Sequence, residues 1–187
     1  FVGFLMDGIL LLEKQKETDH YQIQSLPINS GVFCLKKDRF QDVVWIGTDG
    51  QGVYLYSNPL YSIKSMVLSN YTEKIERPVR AIYLDDERTF WVGTKGNGIL
   101  KIYDYEFDKN ISDCRAEVLT TSNSALSSNA VYCFAKSHRN LLWIGDEEGL
   151  TYYSYREKRI KSIPIRIGNE DFKYIHDIYE TADSELW

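Results

Sequence analysis

The chain has 187 residues, 43% of them hydrophobic and 14% aromatic, with a formal net charge of −5 and a pI near 5.3. That content supplies a packed core and argues against disorder. The acidic balance argues against phosphate-backbone binding by this segment, and no apolar run approaches the roughly 18 residues of a membrane-spanning helix.

Taken in chain order, short apolar runs alternate with polar or glycine-rich turns. Phe1-Val2-Gly3-Phe4 opens a frame that recurs with tryptophan in place of Phe1. Val32–Leu35 is a first β-type run and Val43–Gly47 a second, carrying Trp45. The turn Thr48–Gly52 leads to a third run, Val53–Tyr56, and a more polar fourth, Tyr61–Met66. The cycle restarts with Val79–Ile82, the polar turn Asp85–Arg88, Trp91–Thr94, the turn through Gly98 and Ile99–Tyr103. A third cycle comprises Val131–Phe134, the turn Lys136–Asn140, Trp143–Gly145, the shorter turn Asp146–Gly149, Leu150–Tyr153 and Arg159–Ile163. Ile175–Ile178 begins a fourth, and Trp187 ends the chain.

The frame recurs at steps of 44, 46, 52 and 44 residues, a period that marks a repeat array whose units bury their faces against one another. We divide the chain into repeats at about 1–44, 45–90, 91–142 and 143–187. β-branched and aromatic residues dominate the runs. The first three runs of each unit are apolar at nearly every position, as in sheets covered on both faces, and the fourth has the polarity of an edge strand. The expected fold is all-β: a β-propeller of four-stranded antiparallel blades, about four here. A two-sheet sandwich would not repeat one Trp-x-Gly turn at this spacing. Trp45, Gly47, Trp91, Gly93, Trp143, Gly145 and Trp187 are therefore structural, the tryptophans wedged between blades. The turn glycines supply positive φ angles.

The ends read as cut, so the chain is expected to be an internal piece of a larger protein. Cys34, Cys114 and Cys133 are odd in number and lack metal-ligand spacing, so Cys34 and Cys133 are expected as small buried apolar groups. No cofactor or metal is expected.

Leu142-Trp143-Ile144-Gly145, preceded by Ser124–Val131, resembles the two-component regulator propeller repeat, as do Trp45–Thr48, Trp91–Thr94 and Tyr103-Asp104. The likeness spans the whole chain. It departs at Phe1, at Asp146 in place of Thr, and in having a clear Ser-Leu-Ser-x-Asn run only before Val131. The resemblance implies the periplasmic sensor region of a hybrid two-component system, anchored in the inner membrane. Seven-bladed rings, a histidine kinase phosphorelay and transcriptional control of glycan-use genes go with it.

In such a ring, residues that differ between repeats at equivalent rim positions are the site candidates. The column after the first inner-strand residue reads Phe33, Arg80, Tyr132, His176, and two positions before that first residue the column reads Ser30, Arg77, Asn129, Lys173. Arg77, Arg80, Asn129, Tyr132, Lys173 and His176 are the candidate ligand-binding residues, with Arg77 and Arg80 suited to fork onto a carboxylate or sulfate. The rim turns add Asp49, Gln51, Lys95, Asn97, Asp146, Glu147 and Glu148. Asp177 stands in a column otherwise Cys34, Ala81 and Cys133, and would need a partner if buried. The expected partners are an oligosaccharide or other small ligand and the remaining blades and domains of the parent chain, with homodimerisation left open and no nucleic acid. Two other functions remain open. One is a protein-binding scaffold. The other is a propeller glycosidase or lyase, whose carboxylate pair, about 5–9.5 Å apart, would come from Asp49, Asp146, Glu147 and Glu148. No motif singles out such a pair, and no catalytic residue is assigned.

Overall fold

Runs dense in Val, Ile, Leu and aromatic residues, broken by Gly and Asp turns, fold here as consecutive antiparallel strands. The computed structural model describes residues 1–16, 19–57, 62–66, 77–105 and 114–187. Tyr61, placed in the fourth run of its repeat, lies outside them.

A three-stranded sheet contains β1 (Val2–Gly3), β2 (Ile9–Lys14) and β3 (Tyr21–Leu26). Three four-stranded sheets follow in chain order. The first holds β4 (Val32–Lys37), β5 (Val43–Thr48), β6 (Val53–Ser57) and β7 (Ser62–Met66). The second holds β8 (Val79–Leu84), β9 (Phe90–Thr94), β10 (Ile99–Ile102) and β11 (Ala116–Leu119). The third holds β12 (Val131–Lys136), β13 (Leu141–Asp146), β14 (Leu150–Ser154) and β15 (Arg159–Ile163). A hairpin of β16 (Arg166–Ile167) and β17 (Glu170–Asp171) completes the strands. Each sheet starts one strand before its tryptophan, so blades are offset from the Trp-to-Trp repeat. β4, β8 and β12 stand side by side as the innermost strands of the arc.

Apolar clusters fill the seams between blades. One joins Ile9, Leu11 and Leu26 to Val32, Ile46 and Tyr56. Another joins Trp45, Val53 and Leu55 to Phe90, Val92 and Leu100. A third joins Trp91 and Ile99 to Val131, Leu142 and Tyr153. Trp45 packs on Phe90 with ring centres 4.5 Å apart and edge-on to Tyr105, and Trp91 meets Tyr153 edge-on at 4.8 Å. The expected wedges are thus in place for both tryptophans. Trp187, by contrast, is 78% exposed.

The glycine of Trp-x-Gly is required by close approach of the next blade. A Cβ on Gly93 would lie 2.8 Å from Val131 Cγ1, and one on Gly145 would lie 2.7 Å from the Ile175 carbonyl oxygen.

Ile175–Ile178, expected as a further inner strand, forms none. The Tyr174 and Ile175 amides bond the Glu147 and Asp146 carbonyls, placing the segment against β13 as the next inner strand would lie. Tyr179 and Trp187 exchange both backbone hydrogen bonds. Backbone pairing in this segment thus begins at Tyr179, just after 175–178.

Candidate functional site

Every complete blade has a β-bulge at the same place. The β4–β5 register jumps between Val32 and Cys34, the β8–β9 register between Val79 and Ala81, and the β12–β13 register between Val131 and Cys133. The skipped residues are Phe33, Arg80 and Tyr132. A bulge frees one residue from the pleat and re-aims its side chain, and here it does so at one level of three adjacent inner strands.

The freed side chains form a continuous row. Arg80 Cζ lies 4.3 Å from the centre of the Phe33 ring and 5.5 Å from that of Tyr132, and Tyr132 stacks on His176 at 4.5 Å with 29° between planes. The guanidinium carbon thereby sits over both aromatic rings. Its Nε is buried without a hydrogen-bond partner. Phe33, Arg80 and Tyr132 are half-buried and His176 is exposed, so the row opens to solvent. Burial raises the Tyr132 phenol above its ordinary value, with Glu147 adding to the rise and Arg80 opposing it.

The rim around the row is held by backbone bonds. Asp49, Lys95 and Glu147 amides donate to the carbonyls of Gly31, Pro78 and Ala130, so the approach to each inner strand and the turn after each tryptophan strand share one end. Of the other candidates, Arg77 is exposed and passes beside Gly96. Asn129 is engaged locally: its Oδ1 accepts from the Thr121 amide, and its carbonyl takes the Gly96 and Gly98 amides. Lys173 pairs with Glu148, which raises the lysine above its usual range. Ser30 Oγ donates to the Asp49 carbonyl at 3.0 Å. Asp177 is exposed, and its carboxylate accepts from the Ile178 amide. The structure therefore gathers Arg80, Tyr132 and His176 with Phe33, and leaves Arg77, Asn129 and Lys173 outside the row.

Asp146 stands where Thr48 and Thr94 stand in the other blades. Those hydroxyls donate to Gly52 and Gly98 carbonyls across the turn. In the shorter turn the Asp146 carboxylate instead accepts from the Glu148 and Gly149 amides and from Ser127 Oγ at 2.6 Å. Burial raises this carboxyl above the ordinary range, opposed by those bonds.

Sequence reasoning missed two arrangements. Trp45 and Trp91 donate their indole N–H to Asp38 and Asp85, at 2.8 and 2.9 Å, in the turn that precedes each tryptophan strand. The recurring Asp, seven and six residues ahead of its tryptophan, was the available signal. The other is a groove in the seam between the third and fourth blades, where cavities of about 670 and 450 Å³ share Glu117, Tyr153 and Lys158. At its floor Lys101 is buried: its Nζ donates to Tyr153 Oη at 2.9 Å, pairs with Glu117 at 3.5 Å, and lies over the rings of Trp91, Tyr103 and Tyr153. Burial lowers the lysine pKa, and Glu117 works against the drop. This cation is hydrogen-bonded, ion-paired and ring-flanked, which marks it as part of the packing. No sequence signal separates it from a solvated lysine.

No protein-family model matches the chain. Among curated proteins it is similar to translation initiation factor 6 of Saccharolobus solfataricus, 31% identical over 140 residues, covering 68% of this chain and 57% of that protein. Among solved structures it superposes on the extracellular domain assigned to a hybrid two component system of B. thetaiotaomicron, with a TM-score of 0.65 and 19% identity over 99% of this chain and 25% of that one. PorZ, described as an essential bacterial surface component of the type-IX secretion system of Porphyromonas gingivalis, superposes with a TM-score of 0.67 and 14% identity, over 100% of this chain and 29% of that one. The chain thus spans little more than a quarter of each solved neighbour and just over half of the curated relative. It is a run of antiparallel four-stranded β-propeller blades, with the fold of the extracellular domain of a hybrid two-component system.

Proposed function

We propose that this chain is the ligand-sensing part of an extracytoplasmic receptor of the hybrid two-component type. It binds a small ligand, an oligosaccharide, without converting it. The observation that carries the reading is the row Phe33–Arg80–Tyr132–His176: three bulges aim it at one level, it offers flat aromatic faces and hydrogen-bonding edges, and it is open to solvent. Aromatic planes and planar donors are the groups that recognise a sugar ring and its substituents. Two of the four rim acids are already engaged, Asp146 with turn amides and Ser127 and Glu148 with Lys173, which supports binding over hydrolysis. Signalling then follows from differential binding, since a ligand that prefers one arrangement of blades and neighbouring domains shifts the population toward it. In the periplasm, with the parent protein anchored in the inner membrane, that shift would reach a kinase and alter transcription of glycan-use genes.

Isothermal titration calorimetry of the full chain against a panel of defined oligosaccharides tests the reading. The expected result is saturable heat with the sugar recovered intact. Cleavage of the bound sugar, or no binding across the panel by folded protein, overturns it.

A further inference from the structure

The charge balance around Arg80 points to a ligand class. Guanidinium stays protonated at any pH the fold meets, so its charge must be answered by water or by an acceptor. In Arg80 the guanidinium carbon lies over the Phe33 and Tyr132 rings. The buried Nε meets no acceptor, and no ion pair reaches Arg80 among the described residues.

Among the described residues no rim acid forms an ion pair with Arg80: Asp146 is committed to the Glu148 and Gly149 amides and Ser127, and Glu148 to Lys173. The opposite rim behaves differently. There Asp86 bridges Arg39 at 2.8 Å and Lys136, so cations from two blades share the carboxylate of the blade between them. One end of the inner strands is thus closed by its own ion pairs. The other presents a guanidinium with no ion pair among the described residues, and exposed Arg77 and Lys95 lie on the turns of the same rim.

We propose that Arg80 anchors an anionic substituent, a carboxylate or sulfate carried by a sugar, with the sugar ring lying along Tyr132 and His176. A planar fork matches a two-oxygen anion, and the aromatic walls make that contact stronger by excluding water. This inference rests on the sensor reading above and sharpens it, because the hydroxyls of a neutral glycan can accept a hydrogen bond but bring no charge to answer that of the guanidinium.

The test measures affinity of the full chain for matched probes: a galacturonic acid disaccharide and its carboxyl-reduced form, and a sulfated disaccharide and its desulfated form. Wild type should bind at least one acidic probe about tenfold or more tighter than its neutral partner, and raised salt should shrink the difference. Arg80→Gln should abolish the preference, and Arg80→Lys should keep the charge attraction but recover only part of it. Near-UV circular dichroism checks folding, and should Arg80→Gln misfold, the Arg80→Lys ratio alone decides. Equal affinity for acidic and neutral probes, or a preference that survives Arg80→Gln, overturns the anchoring role and leaves the sensor reading intact. No binding by any of these probes overturns the anchoring role, while the sensor reading is decided by the wider oligosaccharide panel.

Discussion

Trp143 donates its indole N–H to Glu180 at 2.6 Å, across the boundary between the fourth blade and the segment that follows it. Trp45 and Trp91 make the same bond to Asp38 and Asp85 within their own blades. Ser137 occupies the corresponding turn position in the fourth blade, and Glu180 supplies the missing carboxylate from outside. The nearby Ser137 hydroxyl and His138 amide also favour its charged form, and its Oε1 is buried without a hydrogen-bond partner.

Glu180→Ala should therefore destabilise the chain by about 1–3 kcal/mol, because it strands a buried indole donor. Adding Ser137→Asp should restore part of the loss by returning the acceptor to the blade. Chemical denaturation of the single and double variants measures both. Asp85→Ala should cost more than Glu180→Ala, since Asp85 also holds the Glu87 and Thr89 amides and Tyr155.

Two buried carboxylates should give opposite pH slopes. Burial pushes Glu180 up, but the bond from Trp143 and the nearby Ser137 and His138 outweigh it, so its pKa in the folded chain lies below the ordinary 4.5. Its stabilisation is present above that value and lost as pH falls through the lower one. Asp146 is raised above 3.8, chiefly by burial. Its contribution is fullest below 3.8 and is lost as pH rises through the folded value. Stability measured from pH 3 to 7 should show less acid loss in Glu180→Gln than in wild type, and less loss on the rising side in Asp146→Asn.

Gly145→Ala should cost about 1–3 kcal/mol through overpacking, since the added methyl meets Cys133 Sγ at 2.5 Å and the Ile175 carbonyl at 2.7 Å. Gly50 is a control of another kind: its surroundings are open, but its φ is +79°, so Gly50→Ala should cost only about 1 kcal/mol of backbone strain. Thermal unfolding separates the two.

Lys101→Met should leave stability near wild type, because well-packed apolar groups replace buried charges at little cost. Tyr153→Phe keeps the charge and removes its hydroxyl acceptor, and should be the more damaging change. Neither should alter ligand affinity, which calorimetry checks.

The blade order was legible because each blade buries both faces, and burial leaves its mark on residue type. The row was legible as a column for the same reason: Phe33, Arg80, Tyr132 and His176 differ where Val32, Val79, Val131 and Ile175 do not. Its geometry was not, since nothing in the residue types tells that a bulge turns Arg80 between Phe33 and Tyr132. Long-range partners were equally hidden. Trp143 and Glu180 are 37 positions apart, and Lys101 and Tyr153 are 52, distances over which composition carries no pairing information. Ile175–Ile178 carries strand propensity, yet its backbone is not paired as a strand, and pairing begins only at Tyr179 with Trp187.

The most direct test is a nuclear magnetic resonance titration of the full chain with a ligand that calorimetry shows to bind, following the Arg80 Nε–H and the His176 ring. The account predicts that both shift saturably with ligand while Lys101 and Tyr153 stay in place. Shifts confined to Lys101, Tyr153 and Lys158, with Arg80 and His176 unmoved, would put the ligand in the seam groove and contradict it.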